Sequence, residues 1–126
     1  ITTSLDTMYR PGVGAYGPSK AALEAHTRVM AHDLEGTGVT ANALLPGGPA
    51  NTRMIPDMPG VGRESLIQPK IMVPPAVWLG SAEAAEVNGM RIIAARWDPA
   101  LDMAARLEKA AAPVAWPQAV NPRDAW

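Results

Sequence analysis

The chain contains no cysteine and no phenylalanine, and its charges nearly balance, with 11 Lys and Arg against 12 Asp and Glu. Without cysteine it has no disulfides and no thiolate metal sites, which suits a cytoplasmic protein. A net charge of -1 gives no general attraction to nucleic acid or to an anionic membrane. No apolar run approaches the roughly 20 residues of a membrane-spanning helix. We therefore expect a cytoplasmic protein with neither nucleic acid nor membrane as a partner.

The pattern along the chain is that of a single α/β domain. Hydrophobic residues make up 48% of the 126 residues and charged residues 18%, as in globular proteins. Strands are predicted at residues 1–4, 39–46 and 90–95, and a helix over 16–35. A strand, a helix and a strand joined by short connections predict parallel strands with a right-handed crossover.

The remaining segments predict loops and shorter helices. Residues 5–14 read as a polar loop. Residues 46–75, rich in Pro, Gly and Met, form a long connection, and such connections usually carry function. Further helices are expected at residues 63–67, 74–84 and 99–111. The chain would then divide into a domain, residues 1–112, and a proline-rich extended tail, residues 113–126.

Two patterns overlap in RPGVGAYGPSKAALE, residues 10–24. Gly12, Gly14 and Gly17 spell G-x-G-x-x-G, which binds a dinucleotide pyrophosphate when it directly follows a strand. Here the glycines follow MYRP, a poor central strand because proline donates no ladder hydrogen bond. The nearest acidic candidate, Asp33, lies inside the predicted helix. The glycines therefore predict a loop that enters a helix.

The second pattern is Y-x-x-x-K, formed by Tyr16 and Lys20. Their spacing puts both side chains on one helix face, one turn apart. A free phenol, with a pKa of about 10, is a weak base, but a nearby ammonium favours the phenolate and so general acid–base chemistry. The pair alone is a weak signal. It gains weight because the hydroxyls of residues 2–4 lie at the end of a strand and the segment PGGPANT, residues 46–52, lies at the carboxyl end of the next strand. Open α/β sheets bind ligands at these strand ends.

In these segments the chain resembles the short-chain dehydrogenase/reductase (SDR) family. Residues 1–24 match its strand hydroxyl, loop and Y-x-x-x-K helix, VTANALLPGG matches its V-x-x-N-x-x-x-P-G strand, and residues 74–92 match its late helix and last strand. The resemblance covers residues 1 to about 97. It implies an α/β, Rossmann-like doubly wound parallel sheet, of which this chain is the C-terminal half with about three strands. It also implies NAD(P)-dependent interconversion of a carbonyl and an alcohol.

The resemblance assigns catalytic roles to individual residues. Tyr16 would exchange a proton with the substrate oxygen, and Lys20 would favour its phenolate and hydrogen-bond the nicotinamide ribose. The family usually has a serine thirteen residues before the tyrosine, and that position is Thr3. Ser4 is the serine itself, but alternation along a strand points it to the opposite face. Both are candidates, with Thr3 favoured by spacing, whereas Thr2 reads as a strand residue that points elsewhere.

The resemblance implies NAD or NADP as cofactor and no metal. Besides Tyr16 and Lys20, cofactor contacts are expected at Pro46, Gly47, Gly48, Ala50 and Thr52. Pro49 departs from the family because it lacks the backbone N–H often used toward the carboxamide, so Ala50 or Asn51 would supply it. Residues 50–72 would cover the substrate, with an apolar lining of Met54, Ile55 and Met58.

The cofactor-binding half of such an enzyme is not evident in the sequence. No G-x-x-x-G-x-G turn follows a strand, and Ile1 begins the chain inside an expected strand. The expected partners are a small carbonyl or alcohol substrate, a missing N-terminal half of the same domain, and further copies in a dimer or tetramer. The alternative is a catalytically incompetent fragment or pseudoenzyme that serves as an assembly or interaction piece.

Overall fold

The computed structural model describes residues 1–57 and 59–116. Its α-helices are α1 (Leu5–Tyr9), α2 (Tyr16–Asp33), α3 (Val73–Leu79) and α4 (Met103–Ala110). Its strands are β1 (Ala43–Leu45), β2 (Met90–Ile93) and β3 (Ala111–Pro113). Single 3-10 turns lie at Arg63–Ser65, Pro69–Met72, Ala82–Ala84 and Ala94–Arg96. The predicted α/β class is confirmed.

The three strands form one sheet in the order β1-β2-β3. β1 and β2 are parallel, with Leu44 opposite Ile92, as the resemblance to a parallel Rossmann-like sheet implies. β3 runs antiparallel to β2, with Ala112 opposite Arg91. Leu45 and Ile92 are almost fully buried, so the core lies along these two strands.

The strand predicted at residues 1–4 is not formed, and this prediction was wrong. Its link to the sheet is one backbone hydrogen bond, from the Thr2 N–H to the Leu44 carbonyl (3.0 Å). The segment therefore extends beside β1 without building a ladder. The third strand of the sheet comes instead from residues 111–113, at the border of the expected tail. Residues 117–126, with Pro117 and Pro122 of that tail, lie outside the described residues.

The loop predicted over residues 5–14 contains helix α1, which the sequence interpretation missed. Ser4 occupies the N-cap position with extended backbone angles, and Asp6 lies in the first turn, where a negative charge suits the helix dipole. Pro11 disfavours helical geometry at Arg10, where the helix ends. Met8 is 5% exposed because α1 packs on α2. Five residues give no readable helical period, so packing sets this helix.

The predicted strand over residues 39–46 is shortened to β1 because side chains replace part of its ladder. The Asn42 side chain donates to the Val87 carbonyl (2.6 Å) and accepts from the Met90 N–H (3.0 Å). Asn88 likewise accepts from the Ala41 N–H (2.9 Å). Asn42 thus satisfies backbone groups near this strand.

Helix α2 follows its prediction closely and presents one face to the interior. Glu24, Thr27 and Ala31 are buried on that face. Two exposed histidines, His26 and His32, lie elsewhere on the helix. Among residues 1–57 and 59–116, no helix has both the length and the apolar character needed to cross a membrane.

Candidate active site

A cavity of about 720 Å³ lies where the segment of residues 1–4, the start of α2 and the loop after β1 meet. Ligand pockets typically measure about 300–1,000 Å³. The predicted residues that line it are Thr3, Ser4, Tyr16, Pro46, Gly47, Gly48, Ala50 and Thr52. Met54 and Ile55 also line it, as expected for a substrate-covering loop, whereas Met58 lies outside the described residues. The structure thus gathers three distant sequence segments at one cavity.

Tyr16 and Lys20 lie on one face of α2, as their spacing predicts. Tyr16 is the first residue of the helix and is half-buried in the cavity wall. The Lys20 Nζ lies 5.6 Å from the centroid of the Tyr16 ring and donates to the Ile1 carbonyl (3.1 Å). This bond ties the ammonium group to the segment that carries the candidate hydroxyls.

The hydroxyls of Thr3 and Ser4 differ in their surroundings. Ser4 Oγ lies 2.6 Å from Thr7 Oγ1, so the two hydroxyls are hydrogen-bonded to each other. Within residues 1–57 and 59–116, the Thr3 hydroxyl has no hydrogen-bond partner, and Thr3 is only half-buried. The Thr2 hydroxyl is buried and also lacks a partner among these residues. Of the two candidates, Thr3 therefore has the hydroxyl that is more accessible to a bound molecule.

The Pro46–Gly47–Gly48 turn closes against the end of β2. Gly47 has a φ of +99°, and a Cβ there would lie 2.8 Å from Ile93 Cγ2 and 3.0 Å from Ala95 Cβ. The Ala95 N–H donates to the Pro46 carbonyl (2.9 Å) and fixes the turn. Glycine is required at this position by both the positive φ and the close approach. The turn therefore presents bare backbone to the cavity.

The two candidates for the replacement N–H, Ala50 and Asn51, differ in their hydrogen bonds. The Asn51 N–H donates to the Ile67 carbonyl (2.8 Å), within an isolated parallel bridge between Ala50 and Ile67. In the described part of the chain, the Ala50 N–H has no backbone acceptor. Ala50 is accordingly the better placed of the two.

Arg63 organises this loop and was missed by the sequence interpretation. Its guanidinium donates to the Thr52 carbonyl (3.1 Å), the Ile55 carbonyl (3.0 Å) and Asp57 Oδ1 (2.7 Å). Because Thr52 and Ile55 line the cavity, Arg63 holds part of its wall. No sequence pattern marks an arginine that acts through backbone carbonyls. Helix α1 and the residue that follows it add further lining residues that were not predicted: Asp6, Thr7 and Arg10.

The glycines of the G-x-G-x-x-G pattern serve the turn between α1 and α2. Gly12 and Gly14 have positive φ, with open space where a side chain would be. A Cβ on Gly17 would overlap the Met8 carbonyl group. These roles agree with the interpretation of the pattern as a loop that enters a helix.

Comparisons with known proteins relate this chain to reductases and dehydrogenases. The sequence model of a family described as enoyl-(acyl carrier protein) reductase matches residues 1–94. A chloroplastic NADPH-dependent aldehyde reductase-like protein of Arabidopsis thaliana is 46% identical over 57 residues, which are 45% of this chain and 21% of the relative. A short-chain type dehydrogenase/reductase of Picea abies is 51% identical over 47 residues, 37% of this chain and 17% of the relative.

The fold also resembles a solved structure. A short chain dehydrogenase from Salmonella enterica serovar Typhi aligns with a TM-score of 0.66 at 28% identity, over 74% of this chain and 38% of that one. The matches span about a fifth of the length of the curated relatives. The architecture is thus part of a Rossmann-like domain. With the family match over residues 1–94 and these relatives, the chain belongs to the short-chain dehydrogenase/reductase family of oxidoreductases.

Proposed function

We propose that this chain is the catalytic, C-terminal part of an NAD(P)-dependent oxidoreductase that interconverts a carbonyl and an alcohol. The observation that carries the proposal is the single cavity lined by Tyr16, Thr3 and the turn at Gly47. A phenol, a hydroxyl and bare backbone from three distant segments converge there. This set supplies a proton donor, a hydrogen-bond donor for the substrate oxygen and a surface for a flat ring.

In this proposal Tyr16 is the general acid and base. During reduction its hydroxyl donates a proton to the substrate carbonyl oxygen, and during oxidation it takes the proton from the alcohol. The Lys20 ammonium, held by the Ile1 carbonyl 3.1 Å away, favours the phenolate that remains. The Thr3 hydroxyl donates to the substrate oxygen, where negative charge develops. Ser4 is the second candidate for that role.

The cavity fits the nicotinamide end of a dinucleotide. A Cβ at Gly47 would collide with the end of β2, so this position is restricted to glycine and adds no side chain to the cavity wall. Tyr16 and Lys20 would hold the cofactor together with Pro46, Gly47, Gly48, Ala50 and Thr52. When bound, a nicotinamide ring supplies or accepts the hydride. Two relatives are named NADPH-dependent aldehyde reductases, which makes NADPH and an aldehyde the first pair to test, with NAD as the alternative.

The proposal includes partners and context. An N-terminal half of the same domain would bind the dinucleotide pyrophosphate, and the domain of residues 1–112 would complete it, followed by the tail at 113–126. The whole protein would form a cytoplasmic homo-oligomer, a dimer or a tetramer. Size-exclusion chromatography with light scattering on the full-length protein tests the oligomer.

The decisive experiment replaces Tyr16 by Phe in the full-length protein. Removing the proton donor is expected to lower kcat by about 10²–10⁴-fold, while dinucleotide binding, followed by fluorescence titration, stays nearly unchanged. The matched control is Tyr9→Phe, because Tyr9 is the other tyrosine of the chain and is 78% exposed. A fully active Tyr16→Phe variant contradicts the proposed chemistry. If the wild-type protein neither binds a dinucleotide nor turns over a carbonyl, the alternative of a non-catalytic assembly piece takes its place.

A further inference from the structure

Two oppositely charged side chains, Glu24 of α2 and Arg91 of β2, are buried next to each other. Glu24 is 0% exposed and Arg91 6% exposed, and Arg91 Nε lies 3.5 Å from Glu24 Oε1. Burying a charge is costly unless it is paired and hydrogen-bonded, and such a pair often stabilises a fold no better than apolar residues would. The proton chemistry proposed above uses neither residue. The role of this pair therefore depends on the other groups that it contacts.

Each member of the pair holds a backbone group from a different part of the chain. Arg91 Nη2 donates to the Thr3 carbonyl (2.9 Å). Glu24 Oε2 accepts from the Ala115 N–H (3.0 Å). Ala115 has a φ of +64°, which residues other than glycine seldom adopt. The pair thus joins α2, β2, the segment of the candidate hydroxyl and the backbone that follows β3.

Glu24 shares its helix face with the proposed catalytic pair. Tyr16, Lys20 and Glu24 follow one another at four-residue intervals, so they lie on one side of α2. Lys20 donates to the Ile1 carbonyl, and Arg91 donates to the Thr3 carbonyl. Two cationic side chains therefore hold the segment of residues 1–3. Lys20 belongs to α2, and Arg91 contacts α2 through Glu24.

The bond from Arg91 acts on the residue that carries the candidate hydroxyl. The third polar contact of the segment, from the Thr2 N–H to the Leu44 carbonyl, holds the segment beside β1 but involves no atom of Thr3. Because the guanidinium is planar and lies against a carboxylate, its Nη2 has little freedom. The position of the Thr3 carbonyl in turn limits where the Thr3 hydroxyl lies relative to Tyr16.

We propose that Arg91, oriented by Glu24, is a positioning residue that sets the Thr3 hydroxyl relative to Tyr16. This inference rests on the proposed function for its effect on turnover. The structural part of the proposal is that Arg91 immobilises residues 2–4 from across the sheet. This part is argued from the contacts and does not depend on the proposed function. The two parts are tested separately below.

Because the pair is incompletely hydrogen-bonded, both of its charges can be removed together in one variant. Among the described residues, Glu24 Oε1 and Arg91 Nε are buried without a hydrogen-bond partner. Removing both charges should therefore cost little stability, whereas removing one leaves the other buried and unpaired. In the double variant Glu24→Gln with Arg91→Met, the amide oxygen at residue 24 still accepts from the Ala115 N–H. Only the bond to Thr3 and the two charges are lost.

The first measurement is thermal unfolding and amide hydrogen exchange on the full-length protein. Each single variant, Glu24→Gln or Arg91→Met, is expected to lower Tm by several degrees, and the double variant to recover most of that loss. In the double variant the Thr2 amide, which donates to the Leu44 carbonyl, should exchange at least about tenfold faster, with no change at Ile92 in β2. If the double variant does not fold, the same exchange test is made on Arg91→Lys. This variant keeps a charge opposite Glu24 but lacks the forked guanidinium.

The second measurement is steady-state kinetics of the full-length protein. The double variant should lose about tenfold or more in kcat, because a displaced hydroxyl fails in the transition state, with the KM for dinucleotide unchanged. Arg106→Met is the matched control, since Arg106 donates to the carbonyls of Asp98, Pro99 and Leu101 and does not line the cavity. It should lower Tm without altering kcat or the exchange of the Thr2 amide.

The outcomes separate the two proposals. Wild-type exchange of the Thr2 amide in a folded double variant overturns the positioning role, as does wild-type kcat in the full-length double variant. If the full-length wild type shows no Tyr16-dependent turnover, the proposed function fails. The exchange measurement then still decides whether Arg91 immobilises the segment.

Discussion

The carbonyl group of Met8 lies directly against the Cα of Gly17, so that α1 and α2 are closer than any side chain at residue 17 allows. This contact places α1, with Asp6 and Thr7, along the cavity whose wall includes Tyr16. The last glycine of the G-x-G-x-x-G pattern is therefore a packing residue. Its function is to bring two helices together at the site.

Replacing Gly17 by Ala should destabilise the protein. The added Cβ overlaps backbone, which cannot rotate away, and overpacking costs about 1–3 kcal/mol. The higher helix propensity of Ala offsets up to about 1 kcal/mol, so a net loss is expected in urea unfolding. Gly80→Ala is the control, because a Cβ there meets its nearest atom, the Val77 carbonyl oxygen, at 3.6 Å. Equal stability of the Gly17 variant and the wild type would refute the close contact.

Thr3→Ala and Ser4→Ala should have opposite consequences. The Thr3 hydroxyl has no partner among the described residues, so its loss should leave stability unchanged and lower kcat of the full-length protein by about 10²–10³-fold. Ser4→Ala breaks the 2.6 Å bond to Thr7 and should cost about 0.5–1.5 kcal/mol of stability, with a small effect on kcat. Thermal unfolding and kcat for both variants check this. The reverse pattern would assign the substrate-orienting role to Ser4.

Arg63→Ala should loosen the cavity wall more than the fold. The variant loses donors to Thr52, Ile55 and Asp57, but the Arg63–Asp57 pair is solvent-exposed, with side-chain exposures of 41% and 88%, and adds little to global stability. We expect faster limited proteolysis within residues 50–57 and a raised KM for the carbonyl substrate. Arg53→Ala, at an exposed position of the same loop, is the control and should behave as wild type. Unchanged proteolysis of Arg63→Ala would show that the loop holds its shape without this residue.

The sequence alone predicted the long, strongly patterned parts of the fold. Helix α2 has about five turns of regular spacing, and β1 and β2 are apolar segments bounded by turn residues, so local signals sufficed to locate them. The shared face of Tyr16 and Lys20 follows from helix geometry once α2 is recognised. The convergence on one cavity followed from the rule that parallel strands present their carboxyl ends at one edge.

The missed features depend on contacts between distant residues. β3 consists of two alanines and a proline, which have low strand propensity, and it forms because β2 offers an edge where Pro113 needs no N–H. Arg63 donates to backbone carbonyls, and the pattern of side chains in a sequence does not indicate such bonds. The pairing of Glu24 with Arg91 likewise becomes visible only when α2 lies on the sheet.

The stability of the protein should depend on pH through Asp98. The hydrogen bond from Lys109 (2.9 Å), aided by the Ala100 N–H, lowers the pKa of Asp98 in the folded state. A lowered folded pKa gives a contribution that is present above the unfolded pKa of about 3.9 and is lost as the pH falls through the folded value. Lys109→Met should therefore be less stable than wild type at pH 7 and low ionic strength, and the gap should narrow as the pH falls through the acid range.

Urea unfolding at both pH values measures this difference. Lys70→Met, which removes an exposed lysine at a position far along the chain from Asp98, is the control and should show no pH-dependent gap. A gap for Lys109→Met that is the same at pH 3 and pH 7 would contradict the assignment to Asp98.

The contact between Glu24 and the Ala115 N–H has a consequence for where this protein tolerates shortening. Every residue proposed for catalysis or cofactor binding lies within the first 52 positions, so a chain that stops after β3 would retain them all. It would nevertheless leave the carboxylate of Glu24 without its backbone donor, in the interior of the helix that presents Tyr16. Ending the chain just after residue 113, by a nonsense codon or a protease cut, should therefore inactivate a site whose residues all lie far upstream.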